Sequence, residues 1–228
     1  MPSLQFISYS GLVPYQEALD LQYDLQKQRQ AESIPDTVLL LEHPPTITLG
    51  RRTNVSDLFT QKEDLERLGI DLVEIDRGGE ITAHGPGQLV AYPILDLRLH
   101  GQDLHKYLRD LEQVLIATLA SVDIAAGTKS GLTGVWVDDK KIAAMGIKVS
   151  KWVSMHGIAL NICNDLTTFR RDFVPCGIRE FDVTSITELL PNSHLTRSDI
   201  EPQFVCAFRS IFDRGPDNAL CREGIISQ

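Results

Sequence analysis

Apolar positions along this chain switch between an extended and a helical period, and the switches mark out its elements. Residues 4–9 run apolar like a short strand, whereas residues 15–30 carry apolar side chains at helical spacing in a stretch rich in Gln, Leu and Ala. Residues 37–41 form a compact buried-strand run. His43-Pro44-Pro45 breaks it, and residues 46–49 resume extended character before Gly50-Arg51-Arg52. Residues 72–75 and 89–95 predict strands on either side of a glycine-rich loop. From 103 to 121 a single stripe of Leu104, Tyr107, Leu108, Leu111, Val114, Leu115, Thr118 and Leu119 predicts the clearest amphipathic helix, with one face for a sheet. Residues 134–137, 141–149 and 153–162 predict three strands joined by short polar turns. A last helix is predicted from about 199 to 212, with Ser198 and Glu201 as a capping box in which each side chain satisfies a backbone donor. Helices and strands interleave without strict β-α-β alternation, which predicts an α/β fold of the α+β type, a single domain on a mixed β-sheet.

Composition narrows this picture. The 228 residues carry no linker, repeat or low-complexity tract, so they are taken as one domain, 1–228. A formal charge of −9 and a pI near 5.1 argue against nucleic acid as the main partner, because phosphate binding needs an electropositive face. Arg51, Arg52, Lys140, Lys141, Lys148, Lys151, Arg170 and Arg171 lie beside candidate site segments. A basic rim of this kind suits an acidic protein substrate, and scattered solvated charge is the plain alternative. No apolar run reaches the roughly 18 residues that span a bilayer, and the first residues show no signal-like pattern. A soluble cytoplasmic protein without a membrane partner is the expectation. Cys163, Cys176, Cys206 and Cys221 show no C-x-x-C pairing, so neither a zinc site nor a dithiol redox site is suggested, and free thiols in a reducing cytoplasm are the simplest reading.

Three segments carry candidate chemistry. The stretch from Arg77 to Val90 places four glycines, a proline and His84 between apolar runs, a composition that lets backbone approach a ligand and that also serves as a hairpin connection. Cys176 sits in Val-Pro-Cys-Gly-Ile, an exposed-loop context, whereas Cys163 and Cys206 occupy apolar elements. A nucleophilic thiol needs access and a lowered pKa, which a neighbouring ammonium supplies. Lys141 opens Lys-Ile-Ala-Ala-Met-Gly-Ile, whose small residues could line an acyl channel with Met145 and Ile147 as apolar wall; a surface lysine opening a hairpin strand is the alternative. His156-Gly157 repeats the pairing of His84-Gly85 at another strand edge.

Taken together, Leu41-Glu42-His43-Pro44-Pro45 with Thr48-Leu49-Gly50-Arg51, Arg77-Gly78-Gly79 through Gln88, Gly134-Val135-Trp136, Lys141 through Gly146, His156 through Asn161, and Pro175-Cys176-Gly177 resemble the lipoyl(octanoyl) transferase family over most of the chain. Ala83 and Met155, each before a histidine, depart from the larger residues expected there. The resemblance implies the fold of biotin and lipoate protein ligase catalytic domains, with the ligase-like core at about 30–215. It implies a catalytic dyad of Cys176, the acyl acceptor, and Lys141. It also implies substrate contacts from Arg77, Gly78, Gly79, Glu80, Ile81, Thr82, Ala83 and His84, from Ala144, Met145 and Gly146, and from Gly157, Ile158 and Ala159. The implied donor is octanoyl-acyl carrier protein. The implied acceptors are apo lipoyl domains of 2-oxoacid dehydrogenase complexes and the glycine cleavage H protein. Because a thioester is already activated, no nucleotide, metal or other cofactor is expected. An ATP-dependent lipoate or biotin ligase and a noncatalytic lipoyl-domain-binding protein are the competing readings; an acyl adduct formed without ATP separates the first.

Overall fold

The computed structural model describes residues 4–173, 182–213 and 225–227. Its first half comprises β1 (Gln5–Leu12), α1 (Tyr15–Gln30), β2 (Thr37–Glu42), β3 (Thr46–Leu49), a 3-10 turn at Val55–Asp57, α2 (Lys62–Arg67), β4 (Asp71–Glu74), β5 (Ile81–His84) and β6 (Gln88–Ile94). There follow α3 (Leu104–Ala120), β7 (Gly127–Lys129), β8 (Leu132–Val137), β9 (Lys140–Ser150), β10 (Val153–Asn161) and α4 (Thr167–Arg171). Last come β11 (Asp182–Val183), α5 (Ile186–Leu189), α6 (Arg197–Phe212) and β12 (Ile225–Ser227). One mixed sheet runs β12-β1-β2-β6-β10-β9-β8-β7, with β11 joined to β9, and β4-β3-β5 form a small second sheet. The single α/β domain with mixed sheets is as the interleaved pattern implied.

Two helical layers enclose the large sheet. On one face Leu111, Val114 and Leu115 of α3 and Phe204 and Phe208 of α6 pack with Leu89, Ile142 and Leu160 of the sheet. On the other, Ala18 and Leu19 of α1 meet Leu39, Val90, Tyr92 and Val153. Each fully buried Leu or Phe contributes about 2 kcal/mol of transfer free energy, so both faces are strongly specified. A third group of Ile47, Leu65, Ile81, Phe169, Phe173 and Val183 joins the small sheet to the chain on both sides of residues 174–181. The stripe on α3 is buried at Tyr107, Leu111, Val114, Leu115, Thr118 and Leu119, but Leu108 is half-buried and Leu104 is exposed. Glu112 lies within that stripe fully buried because Arg109 pairs with it and the Gly134 N–H donates to it at 3.1 Å.

Three expectations are corrected. The stretch after Arg77 is not one loop: Ile81 and Ala83 turn inward at 2% exposure each, and β5 pairs antiparallel with β3, Thr82 opposite Thr48. This is period-two alternation, obscured in the sequence by the surrounding glycines. The cap of α6 is Thr196 with Asp199, two residues before the box read at Ser198 and Glu201. Glu201 instead holds Arg197 at 2.6 Å. Cys206 is disulfide-bonded, whereas Cys163 is a free, exposed thiol. Spacing along a chain does not report the approach of two Cα atoms that a disulfide requires. Among the described residues no helix is long and apolar enough to cross a membrane.

Candidate active site

The hairpin of β9 and β10 forms the floor of the site. Its register pairs Ala144 with Ala159, Met145 with Ile158, Gly146 with Gly157 and Ile147 with His156. On its other edge β9 is out of step with β8, because Trp136 faces Lys141 while Val135 faces Ala143. β9 therefore holds one extra residue, Ile142, which is fully buried in the main core. In a regular strand Lys141 and Ala144 would point to opposite faces, and this bulge returns them to one. Lys141, Ala144 and Gly146 accordingly line a single cavity of about 430 Å³.

Lys141 is 7% exposed, with its Nζ 4.8 Å from the centre of the Trp136 ring, a cation–π contact. Gly134 makes that position possible: its φ is +124°, and a Cβ there would stand 2.7 Å from the Ala143 carbonyl oxygen and 3.3 Å from Lys141 Cε. The surface-lysine alternative is thereby excluded. Val183 pairs in parallel with Lys141, and the Thr184 N–H donates to the Lys141 carbonyl at 3.0 Å. Cys176 lies outside the described residues.

The opposite end is closed by the turn from Arg77 to Glu80. Gly78 N–H donates to the Ile147 carbonyl at 3.0 Å, and a Cβ on Gly146 would lie 2.7 Å from Gly78 O. The turn is tied to residues 50–52 through Gly50 N–H to Glu80 O, Arg51 N–H to Arg77 O and Arg52 N–H to Gly79 O. Arg77 is itself buried, donating through Nη2 to Thr48 Oγ1 at 2.8 Å. The end wall is therefore Arg77, with Gly78 bracing the turn behind it; Met145 lines the cavity, but Ile147 does not and packs against the main core.

Part of the cavity lining is polar. Tyr15, Tyr92, His84 and His156 all line the cavity. His156 has φ +56° within a strand, 1% exposure, a backbone N–H held by Gln22 Oε1 at 2.8 Å and Nε2 3.1 Å from Asp76 Oδ1. Asp76 also accepts from Tyr23 at 3.0 Å and from Lys148. Burial opposes ionisation of Asp76, but Lys148, His156 and Tyr23 together outweigh it and hold the carboxyl at about 2. Desolvation, only partly offset by Asp76, pulls His156 down to about 4. Burial lowers His43 to about 4 as well, and His84 well below the usual range, and pushes Tyr15 up to about 12.

Residues 14–209 match the lipoyl protein ligase A/B catalytic domain. The chain belongs to that family. Curated relatives in it are the octanoyltransferase of Nostoc sp., 45% identical over 203 residues and covering 89% of each chain, and that of Gloeobacter violaceus, 47% identical over 89% of this chain and 87% of its own. The chain is, like them, an acyltransferase. Solved structures agree in fold: P. falciparum LipL1 in complex with lipoate superposes with a TM-score of 0.77 at 14% identity, covering 99% of this chain and 66% of that one. Lipoate-protein ligase A bound with ATP gives 0.68 at 14%, covering 91% and 85%, and the biotin protein ligase of Aquifex aeolicus in complex with biotin and ATP gives 0.52 at 15%, covering 92% and 70%.

Of the family's expected substrate contacts, Arg77, Gly79, Glu80, Ile81, Thr82 and His84 reach the cavity from one side and Ala144, Met145, Gly146, Gly157, Ile158 and Ala159 from the other. Gly78 and Ala83 do not line it; Gly78 braces the turn and Ala83 is buried beneath the small sheet. Tyr15, Tyr92, Leu132 and Thr133 line it without having been anticipated, since an aromatic in a helix or strand reads as core. His156 carried only its pairing with glycine as a signal. The basic rim is smaller than anticipated. Arg170 is held by Asp182 and Glu188, Arg171 by Asp172 and Lys148 by Asp76, while Arg51, Arg52 and Lys140 are exposed.

Proposed function

We propose that this acyltransferase carries an octanoyl group from octanoyl-acyl carrier protein to a lysine of apo lipoyl domains, through a thioester on Cys176. The observation that carries the reading is a buried lysine, Lys141, on a cavity floored by Ala144, Gly146, Gly157 and Ala159. Such a floor leaves room for an apolar chain beside a group able to exchange protons. The octanoyltransferase relatives support the acyl group, and exposed Arg51, Arg52 and Lys140 support an acidic carrier as donor.

In the first half-reaction the Cys176 thiolate attacks the carrier thioester carbonyl. The carrier C–S bond breaks, and the departing sulfur takes a proton from the Lys141 ammonium. In the second, the acceptor lysine amine attacks the enzyme thioester and gives a proton to the now neutral Lys141. Cys176 then leaves as thiolate, the amide remains, and both groups return to their starting state. Acceptors under this reading are the lipoyl domains of 2-oxoacid dehydrogenase complexes and the glycine cleavage H protein, in the cytoplasm.

The test is intact-protein mass spectrometry after mixing with octanoyl-acyl carrier protein in the absence of ATP, followed by peptide mapping. An octanoyl adduct on Cys176, absent from Cys176→Ala, is expected. An adduct on another cysteine or normal turnover by Cys176→Ala overturns the assignment, and an absolute need for ATP moves the chain to the ligase reading.

A further inference from the structure

Two groups that line the cavity from different sheets, His84 and Lys141, are joined behind the lining by a hydrogen-bonded chain through Gln88, Asn161 and Thr184, all three buried. The Thr184 carbonyl can only accept, so the Asn161 amide nitrogen faces it, at 3.0 Å. Asn161 Oδ1 is left to accept from Gln88 Nε2 at 2.9 Å and from Asn164 Nδ2 at 3.2 Å. Gln88 Nε2 also donates to Ala83 O at 3.2 Å, which turns Gln88 Oε1 toward His84 Nδ1 at 2.8 Å. At the far end of the chain the Thr184 N–H holds the Lys141 carbonyl at 3.0 Å. Each amide is thus oriented by a backbone carbonyl that cannot donate.

Asn161 stands where the large sheet changes partners. β10 pairs with β9 as far as Leu160 opposite Ala143. Beyond that pair β8 keeps one edge of β9, with Trp136 opposite Lys141, and β11 takes the edge that β10 leaves, with Val183 beside Lys141. β11 is only Asp182–Val183, shorter than a usual strand, and it pairs next to the bulge at Ile142, where the ladder is already disrupted. The Asn161 side chain fastens β11 to β10 and, through its cross-strand partner Gln88, to β6. Lys141, Gln88 and Asn161 together line a second cavity of about 10 Å³, so the two amides stand against the lysine side chain as well as its backbone. A buried polar network satisfied in this way selects a single geometry.

We propose that Asn161 is a positioning residue for the acyl-transfer reaction, fixing the strand pairing that aims the Lys141 amine into the cavity. The proposal rests on the reading that Lys141 exchanges protons in the amine-transfer step. Asn161→Ala withdraws the donor from Thr184 O and the acceptor from Gln88 and Asn164, leaving β11 to its backbone pairs. Single-turnover transfer from the acyl-enzyme to a lipoyl domain should slow at least about tenfold, with acceptor KM unchanged within about twofold. Acetylation of Lys141 by acetic anhydride, measured against exposed Lys62 by peptide mass spectrometry, should rise at least about fivefold as the strand opens. Ser154→Ala is the control for destabilisation alone. Its hydroxyl bonds Pro93 O at 2.8 Å and the Leu95 N–H at 3.0 Å on the same β10 but outside the cavity, so the urea midpoint should fall while transfer rate and labelling ratio stay. If Asn161→Ala does not fold, Gln88→Met, similar in length but without the amide, should change both readouts at least about threefold. An unchanged labelling ratio overturns the proposal, as does an equal loss of transfer in Ser154→Ala. If no octanoyl adduct forms on Cys176, the proposed function falls; the labelling ratio needs no turnover and still decides whether Asn161 places Lys141.

Discussion

A hairpin lysine ordinarily reaches into water, yet Lys141 lies under the Trp136 ring in a space that only glycine at position 134 leaves open. That placement puts one cationic, proton-exchanging group on the cavity. If the group also stabilises the Cys176 thiolate, Lys141→Ala should raise the pH midpoint of Cys176 alkylation by about one to two pH units. Lys141→Arg separates charge from proton transfer. Arginine keeps a positive charge but does not deprotonate near neutrality, so thiolate formation should survive while the transfer to amine falls. Alkylation with iodoacetamide across pH, together with single-turnover rates for each half-reaction, checks both. An unshifted profile in Lys141→Ala would count against an electrostatic contact.

The strands set the cavity as closely as the side chains do. Gly157 lies where a Cβ would meet the Ala91 carbonyl oxygen and come 2.6 Å from Pro93 Cδ, both on β6. Neither is the far end of a flexible side chain. Gly157→Ala must therefore push β10 away from β6, at a cost of about 1–3 kcal/mol. Because Gly157 also lines the cavity, acyl-enzyme formation should suffer more with octanoyl than with butanoyl donors. Urea midpoints and acylation rates for the two chain lengths measure the two effects separately. Equal losses for both chains would show that the methyl disturbs only the sheet.

For the whole molecule, the buried histidines tie stability to pH. Burial holds folded His43 and His156 at about 4, against about 6.5 in an unfolded chain, and keeps His84 well below its usual range. Below pH 6.5 the unfolded chain takes up protons that the folded one refuses. Stability is thus full above 6.5 and falls as the pH drops toward 4, by on the order of 3 kcal/mol for each of the first two histidines. Asp76 acts lower down: its carboxyl, held at about 2, adds stability above roughly 4 that is lost as the pH falls through 2. Urea unfolding from pH 7.5 to 4 should show the decline. A flat stability between pH 7 and 5 would mean that these rings are protonated in the folded protein.

Much of the fold was legible in the chain because side-chain periods are local. Helix α1 and strand β3 fall at the residues read from the pattern, and the stripe from Tyr107 to Leu119 is buried as expected except at half-buried Leu108. Reciprocal caps are less discriminating, since Ser198 with Glu201 and Thr196 with Asp199 have the same spacing and only backbone geometry chose the latter. Motif order determined the family and the segments that meet at the cavity. It could not place Lys141, because that depends on one extra residue between β8 and β9, nor find Tyr15 and Tyr92, whose hydroxyls matter only once α1 and β6 close on the small sheet. Periodicity is a property of neighbours in sequence, whereas register, the bulge at Ile142 and the contact of His156 with Asp76 are properties of segments far apart in sequence that folding brings together.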